Sequence, residues 1–423
     1  MHSLEYLALI WIGVFIAAIL ARKTRLTPVL FYLAIGCLFV NFNLLPREDD
    51  EFIRGFAEVG IILIMFALGF EENMTRFITG IKRSWGIAFF GALAPFLAAF
   101  SIIYAFWGSF NMALISGLAM TATAVSLTMV SLKSEGLERS DAATGIMTSA
   151  ILDDVASLAL VAILIPIAAG STAPTLIDIS WIVGKAIAFF AFVVLLAKWV
   201  LPHEISGIAK GLRVMDRWGA KQFVTFDSGD HAVLAILLFA LLMGLLAHVL
   251  GFHPAVGAYM AGLILKGEYF DLTGSTPNQE FERIRGIVDN VAFSWIGPVF
   301  FVALGTKIIF DWDLLVSVLP QVFCLVIAIL LAQISSAAIA ARYTGHFPWP
   351  DSLMIGFGML GRAELAFVVF DIAYVQQKII STELFYTLML TAFWLNVAVP
   401  VSIAWWKPYF IGEKSMGFLS ARQ

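Results

Sequence analysis

Long apolar runs dominate the chain, in place of the strand period of two or the one-sided helix period of 3.6. Stretches of about 20 mainly apolar residues, enough to cross the hydrocarbon core of a bilayer, alternate with short breaks marked by charge, glycine or proline. The pattern predicts thirteen membrane helices, near 4–21, 27–42, 53–70, 85–107, 111–132, 142–168, 180–200, 232–250, 254–266, 289–306, 314–341, 351–376 and 383–406. The ninth is short and takes its place from the spacing of its neighbours. In the first span the basic residues follow the apolar run, the reverse of the order in a cleaved signal peptide.

Lys and Arg collect on the cytoplasmic side of membrane proteins. With the N-terminus outside, twenty fall on inner loops, Arg22, Arg83, Arg139, Arg283, Arg342 and Lys407 among them. Only Arg47, Arg54, Lys185, Lys307 and Lys378 fall outside. A wrong helix count would scramble this alternation, so the N-terminus is expected outside and the C-terminus in the cytoplasm. Composition agrees: 61% of the 423 residues are apolar and 13% charged, about half the charge that a soluble surface needs. That excludes a soluble enzyme, a secreted domain and a disordered hub. A net charge of −4 with scattered basic residues offers nothing to nucleic acid. Cys37 and Cys324 sit in apolar runs and supply neither a disulfide framework nor a metal cluster.

The halves share an order of short motifs. Pro28 to Gly36 in span two matches Pro254 to Gly262 in span nine, Phe66-Ala-Leu-Gly69 in span three matches Val302-Ala-Leu-Gly305 in span ten, and Gly117-Leu-Ala-Met120 in span five matches Gly356-Phe-Gly-Met359 in span twelve. Each offset is seven spans, an odd number, so two copies of six helices would run in opposite directions. The first copy would be 4–168, a linker helix and cytoplasmic loop 180–231, and the second copy 232–410, all one membrane domain. Inverted repeats belong to secondary transporters whose site lies at the midplane, where discontinuous helices meet.

Ionisable residues at membrane depth are functional candidates. Asp153 and Asp154 have apolar sequence on both sides. Adjacent residues on a helix point about 100° apart, so the pair can line one cavity without sharing a proton. A bare carboxylate in oil is costly, so each either keeps a proton or holds a cation. That choice couples H⁺ to a monovalent metal ion; the bland alternative is a packing carboxylate hydrogen-bonded to a neighbour. In span five, Thr121, Thr123 and Ser126 bring hydroxyls to the helix middle. A break there would free carbonyl oxygens for a hard cation, although Ser and Thr also back-bond in unbroken helices. The matching stretch of span twelve, Gly356-Phe-Gly-Met-Leu-Gly361, is as weak a helix former. Arg362 and Glu364 follow it, placed to compensate the ends of broken helices. Gln333 and Asn396 would bridge helices, and His248 and His253 read as surface.

With these residues in view, the chain resembles the monovalent cation:proton antiporter-2 family, its Kef-type and bacterial Na⁺/H⁺ exchanger branch, over about residues 4–410. Ala57 to Gly69, Gly251 to Gly262, Pro298 to Gly305, Asp153-Asp154 and Gly361-Arg-Ala-Glu-Leu-Ala366 carry the resemblance. It implies an all-α polytopic protein with two crossed discontinuous helices. It also implies a homodimer through spans one to three and eight to ten, with spans four to six and eleven to thirteen moving as an elevator. Asp154 would carry cation and proton, with Asp153 and the Thr121–Thr123 backbone beside it. No cofactor is implied beyond the transported Na⁺ or K⁺ and H⁺. Many electrogenic members carry a Lys in span eleven where Gln333 stands here; a neutral amide cannot hold or release a proton, so electroneutral exchange is expected. No Gly-x-Gly-x-x-Gly follows a strand, so nucleotide gating would need a separate regulatory subunit.

Two other functions compete with this one. A K⁺-efflux module worked by a soluble partner would not move protons in fixed ratio with the cation. An intramembrane aspartyl protease needs carboxylates on facing helices sharing a water, which adjacent aspartates do not provide, and its Gly-x-Gly-Asp signature is absent.

Overall fold

The computed structural model describes residues 2–24, 27–47, 50–71, 74–137, 140–170, 176–196, 231–265, 270, 279–362 and 364–414. Of the expected linker helix and cytoplasmic loop 180–231, residues 197–230 lie outside the described residues, as does the side chain of Ser126. All regular structure among the described residues is helical. In chain order the helices are α1 (His2–Thr24), α2 (Pro28–Asn41), α3 (Glu51–Glu71), α4 (Met74–Trp107), α5 (Phe110–Ala119), α6 (Val125–Ser134), α7 (Asp141–Ala169) and α8 (Leu176–Leu195). They continue as α9 (Ala232–Val249), α10 (Pro254–Ile264), α11 (Gln279–Asn290), α12 (Gly297–Gly305), α13 (Trp312–Tyr343), α14 (Trp349–Gly358), α15 (Glu364–Asp371) and α16 (Thr382–Phe410).

Among the described residues, eight helical stretches are long and apolar enough to cross a membrane, and four shorter apolar helices accompany them. Phe15, Phe323, Leu331 and Val401 are exposed on these helices, as a surface that faces lipid instead of water requires. Two apolar runs expected as single spans are interrupted. Residues 111–132 divide into α5 and α6, and 351–376 into α14, α15 and a π-turn at Ile372–Gln376. Two helices also begin well before the apolar run that announced them. α4 starts at Met74 and α11 at Gln279, because polar turns such as Arg283–Asp289 extend a helix beyond the part that hydropathy reveals.

The chain forms two compact units. The first comprises Met1–Val14, Glu48–Met74 and Thr172–Ala303. Its centre is the packing of α3 on α10, which in turn packs on α9. Glycines make this approach close. A Cβ on Gly69 would overlap the Tyr259 carbonyl, and one on Gly262 would overlap the Phe66 carbonyl. Small residues at helix contacts supply the van der Waals surface on which membrane helices associate. Around them Phe66 stacks on Phe70 at 5.5 Å, and Phe70 meets Phe270 and Phe281 edge-on. His253, expected at the surface, accepts from the Ala255 N–H at 3.2 Å and caps α10, with Pro254 at its first turn. Gly262→Leu is expected to lower the stability of this unit by about 3 kcal/mol, the upper range for overpacking. Gly286→Ala, where a Cβ meets nothing within 4 Å, should be tolerated. Thermal unfolding of both variants in detergent tests the contrast.

The second unit comprises Phe15–Arg47, Thr75–Ser171 and Leu304–Gln423. Here α13 packs on α14 and α16, α14 on α7 and α16, α5 on α7 and α15, and α6 on α16. Ile146, Ala337, Met354, Ile355, Met359 and Val399 are buried in its core. Helix starts are fixed by the residue types that cap best: Ser140 accepts from Ala143 N–H at 3.1 Å, and Ser381 from Leu384 N–H at 3.3 Å. All the predicted site residues fall in this unit.

Candidate ion-binding site

The two interrupted helices meet at their breaks. α5 ends at Ala119 and the helix resumes at Val125; α14 ends at Gly358 and resumes at Glu364. Ala119 and Gly358, where the two helices end, are the third residues of the matched tetrads. The Ala124 N–H donates to the Gly361 carbonyl at 2.9 Å, joining one break to the other. Thr128 adds a second tie, its hydroxyl donating to the Gly358 carbonyl at 2.6 Å. Gly361 has to be glycine: a Cβ there would stand 2.9 Å from the Ala124 Cβ and 3.3 Å from Asn396 Oδ1. Backbone broken inside an apolar helix must find partners or line a cavity, and here each break partly satisfies the other.

The acid pair stands beside the first break, on α7. Asp153 is fully buried, while Asp154, one residue on and turned away, is half-buried. Thr123 donates to Asp153 Oδ2 at 3.2 Å, and Asp153 Oδ1 has no hydrogen-bond partner. Thr121 behaves differently. Its hydroxyl back-bonds to the Leu118 carbonyl at 2.7 Å and meets the Ser157 hydroxyl at 3.0 Å. Of the three hydroxyl residues in span five, Thr123 therefore touches a carboxylate, Thr121 faces Ser157, and the side chain of Ser126 lies outside the described residues. Ser157, four residues beyond Asp153 on the same helix face, went unnoticed in the sequence.

Arg362 occupies the second break and is fully buried. Its Nη1 donates to the carbonyls of Met359, Leu360 and Gly361 at 3.2, 3.2 and 3.0 Å. These are the carbonyls at and just beyond the end of α14, where the helix dipole leaves partial negative charge. Nη2 donates to Gln333 Oε1 at 2.9 Å, and the Gln333 amide donates to the Gly91 carbonyl at 2.8 Å. Glu364 opens α15 and is half-buried. Asn396, seen in the sequence only as a helix bridge, takes both polar backbone groups of Arg362: it accepts from the N–H at 2.8 Å and donates to the carbonyl at 2.7 Å. Nothing in the local sequence of α16 distinguishes that asparagine from any other buried amide.

A buried carboxylate with one open oxygen, beside a threonine hydroxyl, offers hard oxygen ligands. Such a set suits an alkali cation or a proton. Among the described residues the chain is all-helical, with helices long and apolar enough to cross a membrane. The sequence profile of the family described as sodium/hydrogen exchanger, transmembrane, matches residues 11–406, and the chain belongs to that family. It is 22% identical over 372 residues to the Na(+)/H(+) antiporter of Enterococcus hirae, covering 88% of this chain and 90% of that one. It is 25% identical over 363 residues to the Na(+)/H(+)-K(+) antiporter GerN of Bacillus cereus, covering 86% of each. The fold is similar to that of the sodium proton antiporter MjNhaP1 from Methanocaldococcus jannaschii, with a TM-score of 0.66 at 16% identity over 96% of this chain and 99% of that one.

Proposed function

We propose that the protein exchanges a monovalent cation, Na⁺ or K⁺, for H⁺, with cation and proton competing for Asp154 and with Asp153 as a second ligand. The observation that carries the reading is the meeting of two broken helices at Ala124 and Gly361 beside buried Asp153, half-buried Asp154 and a buried guanidinium. The charges suit a one-for-one exchange. Two carboxylates and one fixed Arg362 leave the site one charge short, which either one alkali ion or one proton makes good. No titratable side chain stands at position 333 to take up a further proton, so the exchange is electroneutral.

Thirteen spans in two inverted sixes, around the helix near 180–200, accompany this reading. The equal placement of the two breaks within matched tetrads supports it, because opposed copies bring equivalent weak points together. Access alternates by an elevator motion of spans four to six and eleven to thirteen. Spans one to three and eight to ten form the homodimer contact, with the N-terminus outside and the C-terminus in the cytoplasm. Dissipation of a pH gradient in proteoliposomes under Li⁺, Na⁺, K⁺ and Rb⁺ tests the function. The expected result is dissipation under Na⁺ or K⁺ that an imposed membrane voltage leaves unchanged. No dissipation under any of the four contradicts the exchange, and a flux that voltage drives contradicts its electroneutrality.

A further inference from the structure

Asp153 and Arg362 are opposite charges buried in one unit, yet they make no hydrogen bond to each other. Asp153 Oδ1 and Arg362 Nε are both left without a partner. In a low-dielectric interior such a pair should close into a salt bridge unless something holds it apart. The holding groups lie at the far end of the guanidinium. Nη1 is committed to three carbonyls of the break, and Nη2 to Gln333 Oε1.

Gln333 is itself anchored. Its amide donates to the Gly91 carbonyl on α4, and Pro95 sits inside that helix, four residues on. In a helix the carbonyl of residue 91 would accept from the N–H of residue 95, and proline has none. Pro95 therefore leaves the Gly91 carbonyl free to serve Gln333. Gly91 also leaves room for it, since a Cβ there would stand 3.3 Å from Gln333 Nε2 and 3.2 Å from the Met359 methyl. The amide can point only one way, because a carbonyl only accepts and a guanidinium only donates.

We propose that Pro95, Gly91 and Gln333 form an anchor that holds the Arg362 guanidinium off Asp153, so that Asp153 Oδ1 stays open to the transported cation. The anchor rests on the placement of the ion at the acid pair given above. Gln333 acts through Arg362 and is a positioning residue. Without it, Arg362 can turn its freed Nη2 onto Asp153 and become a built-in competitor of the cargo.

The test is the Na⁺ half-saturation and maximal rate of exchange in proteoliposomes for wild type, Gln333→Leu, Pro95→Ala and the double variant. Gln333→Leu should raise the half-saturation about tenfold, the worth of one hydrogen bond to a charged group, and leave the maximal rate within about twofold, since every group proposed to carry the ion remains. Pro95→Ala returns a competing N–H to the Gly91 carbonyl and should raise the half-saturation by a smaller factor. In the Gln333→Leu background it should add nothing, because the two act along one line. A role in packing alone would lower yield or maximal rate without this split. An unchanged half-saturation in both single variants overturns the anchor, and so do factors that multiply in the double variant. If Gln333→Leu fails to fold, Pro95→Ala decides alone: no rise in half-saturation overturns the anchor. Asp153→Asn separates the anchor from the reading beneath it. If that change leaves Na⁺ half-saturation untouched, the ion does not use Asp153 and the site assignment fails, whatever the anchor variants do.

Discussion

Asp154→Asn is expected to abolish cation-driven proton movement, lowering the initial exchange rate by about a hundredfold or more. An amide of the same shape neither ionises nor releases a proton at physiological pH, so the proposed carrier would lose both cargoes in one step. Asp153→Asn should act differently. It keeps an oxygen acceptor for Thr123 and removes only a charge, so it should weaken cation affinity while exchange remains measurable at high cation concentration. Initial rates of pH-gradient dissipation in proteoliposomes distinguish the two. Wild-type exchange by Asp154→Asn would mean that the carrier has been misassigned.

The second large effect is expected from Asn396→Leu. Asn396 is fully buried, and its amide is the partner of both backbone polar groups of Arg362, the N–H and the carbonyl. Leucine fills the volume and pairs neither. Each buried group left unsatisfied costs about 1–3 kcal/mol, so a destabilisation of about 3 kcal/mol is expected. Exchange should fall by more than the loss of folded protein explains, because the break that presents Arg362 loses its support. Thermal unfolding in detergent, beside exchange rates normalised to folded protein, measures both. A variant that is less stable but exchanges at the wild-type rate per folded molecule would show that Asn396 serves the fold and not the site.

The sequence was most informative where bilayer physics leaves few choices. Apolar runs of fixed length announce spans, and charges cannot hide in them, so Asp153, Asp154 and Arg362 stood out unaided. Gly356, Gly358 and Gly361 marked α14 as a poor helix before its end was seen. Contacts between distant segments were much less legible. Hydropathy cannot separate one span from two half-helices, and the breaks after Ala119 and Gly358 sit inside runs that read as continuous. Thr121 and Thr123 look equivalent in sequence, but only the second reaches a carboxylate. Gln333 reads as a neutral substitute for a charged residue, whereas in the fold it grips an arginine 29 residues away. The one local clue to that grip was Pro95, whose missing N–H signals a free carbonyl at Gly91. Asn396 gave no such clue, because an amide's partner depends on which break packs against it.

The exchange account stands on cation and proton excluding one another at a single acid group. The direct measurement is the Na⁺ or K⁺ half-saturation of exchange at a series of pH values, with equal pH on both sides and a tracer ion for flux. Competition requires the half-saturation to rise as pH falls, approaching about tenfold per pH unit on the acid side, while the rate at saturating cation is preserved. A half-saturation that stays constant across pH while the maximal rate collapses, or a cation and proton moving in the same direction, would contradict it.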